Sequence, residues 1–382
     1  MKNAILHARV VTRDAVLPDY GILYDENILQ IAPSEQLSGY EHAIDAQGQY
    51  LIPGLIDVHI HGYHGHDVMD GTPAALQGIS KGLLENGVTG FCPTTVTMSP
   101  EDTETAFQAL REEMSHPPVG AEMLGVHMEG PYLALSRKGS HEPSLLTNPD
   151  RQTVLRHRDI LRIITVAPEL DFDFVSWAAE QGIIVSMGHS EATFEQASRA
   201  IESGARHITH LFNAMSGLTH QKPGVVGAAL LHDGVEVELV ADTIHVRKEL
   251  FKLVYRMKGQ HRILLITDCV RAGGMPPGDY TLGAMPILSD GQSVRLSNGT
   301  LAGSILRLNQ GVANFCQHAG VPLHEAVLMA SYNPALSLGV ADRIGSIDIG
   351  KQANFALTDE SMVPSATYMR GERKYQKERS NA

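Results

Sequence analysis

Residues 50–62 read Tyr50-Leu51-Ile52-Pro53-Gly54-Leu55-Ile56-Asp57-Val58-His59-Ile60-His61-Gly62, an apolar run that ends in two histidines one residue apart. Such a run predicts a buried strand. Side chains alternate across a strand, so positions i and i+2 point the same way and His59 and His61 leave it together. The pair can reach one metal ion. By itself it is a weak signal, because 19 histidines in 382 residues produce such pairs by chance. Two polar residues at a strand end is the plainer reading, and the residues downstream decide against it.

Outward from this stretch, short apolar strands alternate with helical periodicity. The predicted strands are 55–60, 88–95, 123–128, 162–167, 183–187, 207–210, 238–242 and 262–267, with helical patterns at 194–201 and 248–255. Eight strand–helix units over about 250 residues match a (β/α)8 TIM-type barrel. A doubly wound sheet is the competing α/β architecture, but no Gly-x-Gly-x-x-Gly follows the first strand. The chain ends differ in character. Residues 4–11 and 21–32 read as strands with turns at Pro18-Asp19 and Asp25-Glu26-Asn27, and 344–357 reads as strand, turn, strand. The expected organisation is a small β-sandwich domain built from both ends, 1–52 plus 343–382, with the barrel at 53–342.

A hydrophobic content of 43% with 19% charged residues is ordinary for a soluble globular enzyme. A formal net charge of -13 without a basic run argues against a nucleic-acid partner. Cys92, Cys269 and Cys316 are scattered and odd in number, which excludes a disulfide framework and fits a reducing compartment. No stretch is long and apolar enough for a membrane span, and residues 1–9 lack a signal-peptide core. A cytoplasmic location is expected. The charged tail Arg370–Arg379 reads as a solvated, frayed end.

Chemistry in a barrel gathers at the C-terminal ends of the strands. Those ends carry His59 and His61, Thr94-Thr95, Glu129, Pro168-Glu169, His189, His210, Asp242 and Asp268. A lone strand-end histidine is usually a hydrogen-bonded core or surface residue. Four histidines, Glu129 and Asp268 at matching positions point instead to one site. Imidazole and carboxylate donors without thiolates suit a divalent metal, zinc or iron first and then manganese or cobalt, as one or two ions per subunit. A metal lowers the pKa of bound water and polarises a carbonyl. Asp268, ending the run Ile263-Leu264-Leu265-Ile266-Thr267, is the candidate proton carrier. Metal-assisted hydrolysis is the reaction class that follows.

With these residues assembled, the chain resembles the N-acetylglucosamine-6-phosphate deacetylase family of the amidohydrolase superfamily along essentially its whole length. The resemblance rests on Pro53–Gly62, Gly125-Val126-His127-Met128-Glu129-Gly130-Pro131-Tyr132, Lys138-Gly139-Ser140-His141, Met187-Gly188-His189-Ser190, Thr209-His210-Leu211-Phe212-Asn213-Ala214-Met215, Ala241-Asp242-Thr243-Ile244-His245 and Gly299-Thr300-Leu301-Ala302-Gly303-Ser304. It implies that Glu129, His189 and His210 bind the principal metal and that His59 and His61 complete a second site. Asp268 would be general base and acid. His141 and His245 would contact the sugar and acetamide, Asn213 and Ala214 the phosphate, and Leu301, Ala302, Gly303 and Ser304 the acetyl pocket. Branches with a carboxylated lysine at the end of strand four fit less well, because that strand ends Val166-Ala167-Pro168-Glu169. A homodimer acting on a small amino-sugar phosphate is implied.

One departure bears on the substrate. Where the family has Arg-Glu-Pro-Gly, this chain has Gln221-Lys222-Pro223-Gly224. Arginine offers a planar fork for phosphate that lysine lacks. Either Lys222 substitutes, with Arg247 or Lys248, or the anionic group is held differently. The expected reaction is hydrolysis of the acetamide of N-acetylglucosamine 6-phosphate. N-acetylgalactosamine 6-phosphate, an unphosphorylated or other N-acyl amino sugar, and a non-catalytic sugar-binding barrel are the alternatives.

Overall fold

The computed structural model describes residues 2–378. Its centre is a barrel of eight parallel strands: Leu55–Ile60, Val88–Thr95, Val126–Glu129, Leu161–Val166, Ile184–Met187, His207–Ile208, Glu236–Val240 and Ile263–Ile266. They lie side by side in chain order. The ring closes where Ile60 pairs with Cys269, the His61 N–H donating to the Cys269 carbonyl at 2.8 Å and the Asp268 N–H to the His59 carbonyl at 2.9 Å. Closure thus happens at the residues that carry the candidate site. The expected (β/α)8 barrel is the fold observed.

The apolar runs explain why these strands sit inside. Every residue of Leu55–Ile60 and of Val88–Thr95 is buried, as strands covered on both faces must be. A helix follows each strand, and in the first five units a polar residue before it caps its start. Thr72, Ser99, Asp150, Asp171 and Thr193 each accept a backbone N–H from the first turn of the helix they precede.

Two predicted strands are cut short for identifiable reasons. The 123–128 stretch is broken at Gly125, whose φ of 137° no other residue adopts readily. A Cβ there would lie 2.0 Å from the Arg162 side chain. The sixth strand ends at Ile208 rather than 210, because His210 has a φ of 31°.

Both ends of the chain enter a second sheet. Its order is Glu372–Gln376, Pro364–Met369, Phe355–Thr358, Tyr50–Pro53, Asn3–Val11, Val16–Tyr24 and Ile28–Pro33, with His42–Asp45 also beside Asn3–Val11. Strands lie about 4.8 Å apart, so Phe355 and Tyr24, three strands apart, would be about 14 Å apart in a flat sheet. Their rings are 5.2 Å apart. The sheet therefore folds over itself and encloses Ile5, Val10, Ile22, Leu51, Phe355 and Tyr368.

Several local expectations are corrected. Pro18-Asp19 lies inside the strand Val16–Tyr24, and the chain turns earlier, at residues 12–15. The tail is not frayed over 372–376, where an edge strand pairs with Pro364–Met369 and spends its charges on the exposed edge; Arg379 lies outside the described residues. An unpredicted three-stranded sheet, Gly278–Leu282, Met285–Ser289 and Val294–Arg295, follows the eighth barrel strand. Among the described residues no helix is long and apolar enough to cross a membrane.

Phe355 is fully buried, and its ring stacks on Tyr368 at 4.7 Å as well as meeting Tyr24. Phe355→Ala is expected to cost about 3–5 kcal/mol in urea unfolding, with turnover per folded molecule unchanged, because the site lies in the barrel.

Candidate active site

The ends of five barrel strands converge on one buried cluster. Glu129, at the end of the third strand, stands at its centre and is 2% exposed. Its Oε1 lies 3.1 Å from His189 Nε2 and 3.1 Å from His210 Nε2. Its Oε2 lies 3.2 Å from His61 Nε2 and 3.6 Å from both His59 Nε2 and His141 Nε2. Asp268 Oδ1 is 3.3 Å from His61 Nε2 and 3.6 Å from His59 Nε2. All six residues picked from strand ends are therefore brought together.

The backbone is bent to do this. His189, His210 and Asp268 have φ values of 49°, 31° and 51°, the left-handed region that costs a non-glycine residue roughly 1–3 kcal/mol. Each of these residues lies two positions beyond the last residue of its strand, where the turn redirects the side chain into the cluster. Gly130 serves the same end by omission: a Cβ there would lie 2.2 Å from Thr97 Oγ1, the atom that holds His141.

The outer hydrogen bonds fix which nitrogen faces inward. The Nδ1–H of His61 donates to the Thr94 carbonyl at 3.2 Å, that of His189 to the Arg137 carbonyl at 2.8 Å, and that of His59 to Glu238 at 2.9 Å. Carbonyls and carboxylates only accept, so Nδ1 carries a proton in all three rings and Nε2 is the nitrogen that faces the cluster, free to ligate a cation or, without one, to donate its own N–H to a carboxylate. His189 and His210 Nε2 are 3.1 Å apart, and His59 and His61 Nε2 are 3.3 Å apart. Converging Nε2 atoms and two carboxylates make a field for a cation. The same field acts on protons. Burial would lower His59 and His61, but Glu129 and Asp268 override it, holding His59 well above its ordinary value and His61 at about 9. The donor set fits zinc, iron or manganese: His59, His61 and Asp268 bring ligand atoms together on one side, and Glu129, His141 and His189 on the other, with His210 Nε2 3.1 Å from Glu129 Oε1 beside them.

His141 differs. The Thr97 N–H donates to its Nδ1 at 3.3 Å, so the proton sits on Nε2, on the cavity side. Burial lowers this imidazole to about 4, which keeps it neutral and a donor at physiological pH. Asp268 is pulled the other way: burial raises it, but His61, His59 and His210 outweigh burial and hold it below the usual carboxylate range. His245 Nδ1 meets Asp242 Oδ2 at 2.6 Å, and Asp242 also accepts the N–H groups of Ile244 and His245.

A cavity of about 460 Å³ opens above the cluster. Of the residues expected to meet substrate, His141, Asn213, Ala214, His245, Leu301 and Gly303 line it. Ala302 and Ser304 do not: they are 0% and 2% exposed, and Ser304 Oγ–H donates to the Thr267 carbonyl behind Asp268. Lys222 also lies elsewhere, in an adjoining groove with Gln221 and Leu218 that shares only Arg137 with the cavity. Arg247 is exposed and paired with Glu249. The guanidiniums that do line the cavity, Arg137 and Arg295, were not singled out from sequence. Arg137 lies one residue before the Lys138–His141 block, a position that could have flagged it. Thr97 and Glu238 were also missed, although a glutamate inside the apolar run Val237–Val240 is itself a signal.

The chain matches the amidohydrolase family model over residues 50–376. It is 35% identical to the N-acetylglucosamine-6-phosphate deacetylase of Bacillus subtilis (strain 168), covering 95% of this chain and 94% of that one. It is 32% identical to the N-acetylgalactosamine-6-phosphate deacetylase of Escherichia coli O157:H7, covering 97% and 99%. The crystal structure of N-acetylglucosamine-6-phosphate deacetylase from Pasteurella multocida superposes with a TM-score of 0.93 at 31% identity, covering 98% of this chain and 99% of that one.

Glu129 touches every imidazole of the cluster, so Glu129→Gln removes the charge that all of them share. Elemental analysis of the purified variant is expected to find most of the bound metal gone, with the far-UV circular dichroism of the barrel unchanged.

Proposed function

The chain belongs to the amidohydrolase family and, within it, to the N-acetylglucosamine-6-phosphate deacetylases, and from that premise we propose that it hydrolyses the acetamide of N-acetylglucosamine 6-phosphate to glucosamine 6-phosphate and acetate. The observation that carries this reading is the convergence of Nε2 atoms with Glu129 and Asp268 at the floor of a sugar-sized cavity. Glu129, His189 and His210 would hold the principal ion, and His59 and His61 a second. A divalent metal held there supplies Lewis acidity to a carbonyl and makes water a nucleophile near neutral pH.

The remaining steps belong to side chains. Asp268, ionised because its imidazole neighbours outweigh burial, takes the proton of the attacking water and returns it to the departing nitrogen. His141 offers its Nε2–H to the carbonyl oxygen as negative charge develops there. His245, held by Asp242, orients the sugar, and Leu301 and Gly303 shape the wall against the acetyl methyl. Ala302 and Ser304 support that wall from behind. Phosphate is read by Asn213 and Ala214 with the cavity's own cations. Arg137 is paired with Glu191, whereas Arg295 has no carboxylate within ion-pair distance among the described residues. An unpaired guanidinium at the cavity supports an anionic substrate despite Gln221.

On the same reading, 1–52 with 343–382 is the small β domain and 53–342 the catalytic barrel. The protein would work as a cytoplasmic homodimer, for which the exposed Leu218 in the adjoining groove supplies apolar surface.

Deacetylation kinetics with metal supplied test the proposal. Higher kcat/KM for N-acetylglucosamine 6-phosphate than for its unphosphorylated form and for the galactosamine epimer is expected. A preference for the epimer would move the assignment to the activity named for the Escherichia coli relative. Asp268→Asn is expected to lower kcat by about 100- to 10,000-fold while the sugar still binds; near-normal turnover would remove Asp268 from the mechanism.

A further inference from the structure

Glu238 lies within the seventh barrel strand, beneath the cluster, and is 0% exposed. It does not line the cavity and so meets no substrate. A buried carboxylate costs several kcal/mol unless its oxygens are well used. Here Oε2 accepts from the Nδ1–H of His59 at 2.9 Å and from the His210 N–H at 3.4 Å. The Glu238 backbone carbonyl accepts the Leu211 N–H at 2.8 Å. Oε1 faces His207 Nδ1 at 3.6 Å. His207 is in turn held through Nε2 by Ser337 Oγ at 2.6 Å and Glu236 Oε2 at 3.1 Å. One residue therefore grips a histidine of the first strand and the turn after the sixth through Oε2 and its backbone carbonyl, while its Oε1 has only the longer approach to His207 and no hydrogen bond.

We propose that Glu238 is the positioning residue that makes His59 a metal ligand, by fixing its Nδ1–H tautomer and ring angle and by tying it to the turn that carries His210. The inference rests on reading His59 as a ligand, the proposal made above. A neighbouring histidine does not share this dependence: His61 takes its orientation from the Thr94 carbonyl, part of the backbone. Among His59, His61 and His189, whose Nε2 atoms meet in the cluster, His59 alone has its Nδ1–H held by a removable side chain, the other two by backbone carbonyls. Loss of such an outer partner weakens metal binding by about 10- to 100-fold.

The test is a double-mutant cycle on the intact protein, read as Zn²⁺ retention against a chromogenic chelator. Glu238→Gln is expected to weaken retention 10- to 100-fold in the native background and to add nothing to His59→Asn. Equal weakening in both backgrounds, or no weakening at all, overturns the assignment and leaves the deacetylase reading intact. A native protein that retains no Zn²⁺, Fe²⁺ or Co²⁺ overturns both. Should Glu238→Gln not give folded protein, Glu238→Asp keeps the charge and withdraws it from His59 by one carbon; it must weaken retention in the native background alone.

Discussion

The structure depends on a carboxylate held among imidazoles at the floor of the cavity and only 2% exposed. Glu129 has His59, His61, His141, His189 and His210 all within 3.6 Å. Burial makes an ionised carboxylate expensive, and only close positive charge offsets that cost. The surrounding groups supply it: despite burial, the histidines hold Glu129 well below the usual carboxylate range. Barrel closure, left-handed turns at strand ends and the inward tilt of each ring are all arranged to keep these groups together.

Behind the cluster, the barrel works as a set of fixed acceptors. Backbone carbonyls of Thr94 and Arg137 and the side chain of Glu238 each take an Nδ1–H. Carbonyl acceptors arrive with the fold itself, whereas Glu238 has to be specified residue by residue. His127 is handled oppositely. Both of its nitrogens are engaged, by the Val58 carbonyl and Thr165 Oγ1, and burial lowers it to about 3. It is a neutral core histidine beside His59 rather than a further ligand. Identical side chains a few ångströms apart thus serve packing or chemistry according to what meets their second nitrogen.

Above the cluster, polarity changes to suit a small sugar. The walls come from loops after strands two, three, six, seven and eight, together with the three-stranded sheet that contributes Leu282 and Arg295. That sheet has no counterpart in the barrel pattern, and it brings to the cavity a guanidinium that has no acidic partner within ion-pair distance among the described residues. The guanidiniums that line the cavity, Arg137 and Arg295, are set apart from the Glu129–Asp268 cluster and come from different loops.

The sequence by itself determined the barrel and the members of its cluster. Apolar runs of strand length repeat eight times, and the residue that ends a run needs no further information to be placed at a strand end. His59, His61, Glu129, His189, His210 and Asp268 were legible for that reason. Position along the chain does not say which way a loop folds back. Lys222 stood close to Asn213 and Ala214 in sequence, yet it faces another groove; Arg295, from a sheet formed much later in the chain, faces the cavity instead. Tautomers were equally out of reach, since they depend on acceptors such as the Thr94 carbonyl and Glu238, brought in by neighbouring and distant strands. Short-range pattern sets what a strand is and where it ends; only tertiary packing decides what each side chain meets there.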